Sequence, residues 1–447
     1  MTHSPVEHLQ PFADPMERGV EALAQRFPDP LIFLEEVHDR RVEFGRSGVV
    51  RAATSESRGI ALETGGETGA AAHLSGPSPD RVGDAVRSLI RGERLPVAYA
   101  SVCPVGDLPE PEAAGGLVHS FLSRVPLGHD GARVRVRGRY VQYSQVVRVA
   151  TPSAGQVVEL RQGQRLRLEV DLHRNGREGT GTVDWVWRPG RVLDPAGLVA
   201  GALGRAEARL DARPAPRGRH PVVMGPGVGG ILAHEMFGHA LEARGASGEL
   251  SALIRMGDGT RSREIRIIDD PRRGRIPWRR DDEGERSRAV ALVADGRLAG
   301  ALHNRTTARA AGETRTGHAR RSSYLVSALP RMGCTFIAAG DHGPESLIGE
   351  TGDGLYIRRM AAASVDLSSG EAMFRVSDAD RIEGGRIAEP LEPFVLFITL
   401  AETLATLGQP ANDLQFDTCL GTCLKDHQPL AVSVGAPTVR LGVATVL

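Results

Sequence analysis

Hydrophobic and polar positions change period along the chain, and each change marks an element. Val20, Leu23, Ala24 and Phe27 recur at helical spacing behind Asp14-Pro15. There an N-capping residue precedes a proline suited to the first helical turn. The period then falls to two. Arg41–Phe44, Gly48–Ala52 and Gly59–Glu63 alternate or carry β-branched residues between turn signals, which predicts strands of a hairpin. A glycine-rich loop, Gly65–Gly69, follows. Ser78-Pro79 then opens a second helix with Val82, Ala85, Val86 and Leu89 on one face. These elements predict a small α/β unit over residues 1–103. A Pro-, Glu- and Gly-rich stretch, Pro104–Gly116, is the first linker candidate.

Residues 117–212 read as strand-rich. Arg133–Arg137, Tyr140–Ala150, Gln156–Leu160, Leu166–His173 and Thr180–Trp187 alternate between Gly, Pro and Asn turns. Arginine takes many outward positions, so the pattern predicts an antiparallel meander with one buried face. Such arginines read as a solvated strand face rather than a phosphate site. Trp185 and Trp187 share a face and read as core or interface. Asp194-Pro195 starts a helix running to about Ala212, and Arg213–Arg219, with Pro214 and Pro216, is the second linker candidate. Residues 219–447 mix short strands with turns. Thr335–Ala339, Gly354–Ile357, Met373–Val376 and Phe394–Leu400 read as strands, and Glu402–Leu407 as a helix stopped by Gly408. The fold class is therefore α+β, with an α/β N-terminal unit and two strand-rich units.

Composition narrows the class. A chain of 447 residues buries a large core. Its 55 basic residues balance 55 acidic ones, which implies no global attraction to nucleic acid or membrane. Only one of the basic residues, Lys425, is lysine. That bias reads as the codon preference of a GC-rich genome. Four cysteines, Cys103, Cys334, Cys419 and Cys423, have no small-scaffold spacing and argue against a disulfide framework. Residues 1–15 lack the apolar core of a signal peptide, and no apolar run reaches the length of a membrane span. The expected compartment is the cytoplasm.

The chemistry concentrates in one stretch. A short apolar strand, Pro221–Met224, leads through Gly225-Pro226-Gly227 into a helix carrying His234, Glu235 and His239. Two imidazoles flanking a glutamate suit a divalent metal and a general base. The familiar helical zinc motif spaces its histidines four apart. Here they are five apart, which on a regular helix turns the second about 140° from the first. A single wide turn of the π type would restore a common face, and Gly238 tolerates the distortion. Two unrelated histidines, one packed and one solvated, would give the same spacing. Cys423 offers a third donor. A thiolate with two imidazoles leaves one tetrahedral position open, the arrangement of a catalytic site. Cys419 and Cys423 could instead form a pair.

Together these motifs resemble the TldD/PmbA family, once described as modulators of DNA gyrase, in its metal-bearing TldD branch. That branch carries His-Glu-x-x-x-His after a Gly-Pro-Gly run and then Gly-His-x-Leu-Glu, here Gly225–Gly227, His234–His239 and Ala240-Leu241-Glu242. Further matches are Ile268-Asp269-Asp270, Asp281-Asp282-Glu283-Gly284, His303-Asn304-Arg305, Ala308-Arg309 and Pro330-Arg331-Met332. The family's cysteine lies in Cys-Gly-Lys-x-Gly-Gln, which maps onto Cys423 with Leu424 and His427 in place of the glycines. Ala361–Ala363 stand where a glycine pair is expected. The likeness covers about half the chain, from residue 220 onward.

The resemblance implies a C-terminal metalloprotease domain, 219–447. His234, His239 and Cys423 would hold one Zn²⁺, with Glu235 as general base. Glu242 and Asp282 are candidates to hold a ligand imidazole, against the alternative of surface or capping groups. His427 is the first candidate for substrate contact, ahead of His220, His303 and His318. The implied substrate is an unfolded or extended peptide, bound as an added strand. The implied partner is a metal-less PmbA/TldE-like subunit or a second copy, with no nucleic acid and no membrane. The alternatives are a non-catalytic peptide-binding or partner subunit, and a hydrolase of non-peptide amides.

Overall fold

The computed structural model describes residues 6–65, 71–92, 112–187, 193–243, 263–417 and 421–447. Most of the Gly65–Gly69 loop and of the first linker candidate lie outside these residues, as do Cys103 and Cys419.

Strands from both sides of that linker candidate form one antiparallel sheet. They are β1 (Leu31–Gly45), β2 (Gly48–Glu63), β3 (Ala71–Ser75), β4 (Gly128–His129), β5 (Ala132–Thr151), β6 (Gly155–Arg174) and β7 (Arg177–Trp187). Their order is β3-β2-β1-β5-β6-β7, with β4 on β5. The join is the β1–β5 ladder, which runs from Ile32 opposite Ala150 to Gly45 opposite Arg137. The first two units expected from sequence therefore share a sheet. The strands are also longer than the alternating fragments. Glu36–Arg41 has poor strand propensity, but β1 is paired on both sides, and ladder bonds there outweigh propensity.

The sheet's two faces pack differently. Ile32, Leu34, Ile60 and Val146 pack under α1 (Ala13–Ala24) and α2 (Pro79–Arg91). At the other end of the same face, Val42, Phe44, Leu166 and Val183 pack under α3 (Glu112–Leu122) and α4 (Pro195–Leu210). Trp187 is buried in that second core, and Trp185 packs at its margin. Asp14 lies inside the first turn of α1 rather than capping it. The opposite face turns toward the C-terminal part of the chain.

That part carries two more seven-stranded sheets. One comprises β9 (Ile267–Asp269), β10 (Val290–Ala294), β11 (Arg297–Leu298), β14 (Cys334–Ile337), β20 (Gln415–Phe416), β21 (Gly421–Lys425) and β22 (Gln428–Ala436). Its order is β11-β10-β9-β14-β22-β20, with β21 on β22. The other comprises β8 (Gly218–Met224), β15 (Gly354–Asp366), β16 (Glu371–Glu383), β17 (Arg386–Leu391), β18 (Phe394–Thr399), β19 (Leu407–Pro410) and β23 (Val439–Val446). Its order is β15-β8-β23-β18-β16-β17, with β19 on β23. A two-stranded ribbon, β12 (Ala319–Arg320) and β13 (Leu329–Pro330), completes this part of the chain. Among the described residues no helix is long and apolar enough to cross a membrane.

A buried ionic seam joins the first sheet to this region. Arg161 of β6 is 1% exposed and donates to Asp282 Oδ1 at 2.7 Å and to the Arg280 carbonyl at 3.0 Å. Asp282 Oδ2 also accepts from the Arg321 amide at 2.8 Å and from Arg320 Nε at 3.2 Å. Glu63 of β2 is held by Arg305 at 2.9 Å and Arg321 at 2.8 Å. Tyr324 packs on Gly59, where a side chain would meet its ring at 2.2 Å. Burial alone would raise the Asp282 pKa, but Arg161, Arg320 and Arg321 outweigh it and hold the carboxyl below its usual range. Glu63 is lowered in the same way by Arg321 and Arg305. Asp282 thus belongs to this seam. Its oxygens are taken by the Arg161 and Arg320 side chains and the Arg321 amide, from two segments of the chain.

Asp282→Asn leaves Arg161 buried without its counter-charge. Denaturant unfolding should show a loss of about 3–5 kcal/mol, with bound metal unchanged. The seam's contribution is present above the ordinary carboxylate range, about pH 4, and should fade as pH falls through the lowered folded values.

Candidate metal centre

The site begins where β8 ends. Gly225 N–H donates to the Ile357 carbonyl, and Gly227, at φ +88°, donates to the Ala436 carbonyl, so the turn is tied to both C-terminal sheets. The helix α5 (Gly229–Ala233) then packs directly on β22. A side chain at Gly230 would lie 2.5 Å from the Gly435 nitrogen, so only glycine permits this approach. Leu232, Ala233, Met236 and Phe237 are buried in the core between the sheets.

The helix widens at His234–Gly238 into a π-type turn, in which the His239 amide donates to the His234 carbonyl five residues back. This is the distortion that the five-residue spacing predicts. It brings the two rings to 5.0 Å between centroids at an interplanar angle of 81°. Gly238 also makes room for a neighbour, since a side chain there would lie 1.9 Å from the Met332 sulfur.

Cys423 arrives from β21. Its Sγ lies 3.4 Å from His239 Nε2, and one donor atom from each of His234, His239 and Cys423 lies within 4.8 Å of the others. Glu235 Oε2 lies 3.7 Å from His239 Nε2. His234 and Glu235 line a cavity of about 500 Å³, together with Met360–Ala362 of β15 and Gly421 and Thr422 of β21.

Glu242 is the anchor behind the donors. It is 1% exposed, and its Oε2 lies 3.3 Å from His239 Nδ1 and 3.2 Å from Lys425 Nζ. Its Oε1 accepts from the Met332 amide at 2.9 Å and lies 3.7 Å from Arg331 Nε. Arg331 is fully buried and donates to the Cys423 carbonyl at 2.7 Å and the Gln428 carbonyl at 2.8 Å. The same two cations that neutralise Glu242 thus fix the strand bearing Cys423.

The electrostatics suit a cation at the donors. Burial, reinforced by the neighbouring His239, lowers the His234 pKa to about 3, so this imidazole is neutral and offers a lone pair. Its Nδ1 is buried and has no hydrogen-bond partner. Burial opposes a charge on His239, but Cys423 and Glu242 override it and raise the pKa to about 10. Burial would raise the Glu242 pKa, yet His239, Lys425 and Arg331 hold it at about 2. A positive charge beside His239 and Cys423 is therefore favoured, and an unpartnered buried nitrogen faces no competing bond. Two imidazoles and a thiol fit a zinc-like ion.

The other histidines lie elsewhere. His427 sits at φ +61° in the exposed β21–β22 turn and does not line the cavity. His318 is buried against Asp269 at 3.1 Å, His303 is 3.3 Å from Thr307 Oγ1, and His220 lies 3.2 Å from the Arg217 carbonyl. Sequence reasoning gave no role to Arg331 or Lys425. The signal for Lys425 was its being the single lysine, two residues from Cys423.

Residues 217–447 match the PmbA/TldA metallopeptidase C-terminal domain. A Haemophilus influenzae protein named metalloprotease TldD homolog is 30% identical over 78% of this chain and 75% of its own length. A Saccharolobus solfataricus protein named zinc metalloprotease TldD homolog is 28% identical over 56% of each chain. Among solved structures, TldE from Thermococcus kodakarensis superposes with a TM-score of 0.71 at 17% identity, over 97% of this chain and 99% of its own. The chain belongs to the PmbA/TldD family.

Lys425→Met removes one cation from Glu242 and loosens the hold on His239. Metal affinity, measured by competition with a chelator, should fall by about 10–100-fold, and the metal-free protein should melt at a lower temperature because buried Glu242 is left with one counter-charge fewer.

Proposed function

With membership of the PmbA/TldD family as premise, we propose that the chain is a zinc-dependent peptidase that hydrolyses unfolded or extended peptides. The observation that carries this reading is the convergence of His234, His239 and Cys423 beside Glu235, with His234 and Glu235 in the wall of one cavity. His234, His239 and Cys423 hold the ion. Bound Zn²⁺ would supply a Lewis acid for the scissile carbonyl and acidify water.

Glu235 does the proton work. Burial raises its pKa above the ordinary carboxylate value, against the opposing pull of His239. A more basic carboxylate is better matched to accepting a proton near neutral pH. Proton return to the leaving amine falls to the same group. Glu242 keeps the His239 ring oriented and does not touch substrate.

Two strand edges face the cavity and suit an extended peptide. β21 pairs only with β22 among the described residues. β15 pairs with β8 only through Ile357, so Met360–Ala362 face the cavity beyond that ladder. A peptide lying between them would gain main-chain hydrogen bonds with little demand on its sequence. The partner is a TldE-like subunit or a second copy. Cys334 and Cys423 are free thiols, in keeping with a reducing cytoplasm.

Glu235→Gln preserves the donors. It should retain stoichiometric zinc by elemental analysis while cleavage of an unfolded peptide mixture falls by about 10²–10⁴-fold. Equal cleavage by the variant would remove Glu235 from the mechanism. Wild type that holds zinc but cleaves neither peptides nor a panel of non-peptide amides, alone or with a TldE-like partner, would favour a binding subunit.

A further inference from the structure

The metal-site cavity adjoins a second one, of about 510 Å³, which is lined by several arginines, two of them on the wall the cavities share. These arginines come from the outer face of the first sheet. Arg41 stands opposite Val141, and Val141 opposite Arg165, while Arg139 stands opposite Arg167. Residues directly opposite share a face, so Arg41, Arg139, Arg165 and Arg167 all project the same way. Arg165 and Arg167 line both cavities, as do Gly421 and Thr422 of β21. The alternating arginines expected to be merely solvated thus include a patch that overhangs the path to Glu235.

Their charge is under-compensated. The buried carboxylate of Asp184 serves three guanidinium groups, with Arg359 at 2.7 Å, Arg165 at 3.2 Å and Arg167 at 3.7 Å. The other carboxylate near Arg167, Glu169 at 4.0 Å, is already paired with Arg137. Arg139 is exposed and makes no ion pair among the described residues. A cleft lined by excess charge of one sign concentrates ligands of the other sign. Guanidinium groups recognise carboxylates in planar, two-pronged geometry.

We propose that this groove selects extended peptides carrying Asp or Glu side chains near the scissile bond, with Arg139, Arg165 and Arg167 as the recognising groups. Asp39 and Asp184 are interspersed among the arginines. They would repel a continuous phosphate backbone but leave room for separate carboxylates. The inference rests on the peptidase reading for the bond that is cut, whereas the binding preference is measurable without cleavage.

The test uses the full-length Glu235→Gln protein and fluorescence anisotropy. The probes are peptides of equal length, about ten residues, with matched Asp/Glu, Asn/Gln or Lys positions, and a single-stranded oligonucleotide of equal charge. The acidic peptide should bind at least about tenfold more tightly than the neutral one, and the margin should shrink at high salt. In Arg139→Gln/Arg167→Gln the ratio should fall to within about threefold. Arg139→Glu, at an exposed and unpaired position, guards against misfolding of the double variant and should shift preference toward the Lys peptide. Equal binding of acidic and neutral peptides, an unchanged ratio in both variants, or tighter binding of the oligonucleotide would overturn the proposal. Preserved acidic binding with no cleavage by wild type would sink the peptidase reading and leave the groove. Cleavage by wild type with no acidic preference would do the reverse.

Discussion

Glu242 is a carboxylate with almost no access to water, and such a group is tolerated only when fully paired. Its partners come from three separate segments: His239 from the widened helix, Met332 and Arg331 from the stretch after β13, and Lys425 from β21. Satisfying one carboxylate therefore brings together the helix that carries His234 and His239 and the strand that carries Cys423. Arg331 completes the linkage by bonding the carbonyl of Cys423 itself. Gly238 matters to the same end. It lets the helix widen, and it lets Met332 approach closely enough for its amide to reach Glu242.

The first sheet contributes through division of its outer face. Near Arg161 and Glu63 that face is sealed by ions that answer one another across the interface. Farther along the same face, on β5 and β6, Arg139, Arg165 and Arg167 line the second cavity. The seal fixes the height of the overhang. Gly163, whose missing side chain would meet Ile276 at 2.9 Å, sits between the two regions and lets β6 come down close to the C-terminal domain. The sealed part thus positions the charged part relative to the helix that carries His234 and Glu235.

Much of this was legible locally. The histidine spacing predicted the wide turn because helix geometry leaves no other way to align residues five apart. Alternation identified the meander and its buried face because side-chain direction reverses at every strand residue. Ser78-Pro79 marked the start of α2 for an equally local reason. The polar middle of β1 was not legible, because its strand character comes from neighbours on both sides. Nor was the merging of two expected units into one sheet, which depends on a ladder between β1 and β5, far apart in sequence.

Residue chemistry and short-range spacing, carried by the sequence itself, therefore determined the nature of the donors, the distorted helix and the strand-rich class. Tertiary structure alone decided which carboxylate does what. Asp282 and Glu242 are both acidic residues near the motif, yet one seals an interface and the other holds an imidazole. It also decided that alternating arginines would roof a cavity. Cys423 reaches His239 across 184 residues of chain. The strength of such pairings depends on burial and on which charges meet, and neither exists until distant segments have packed together.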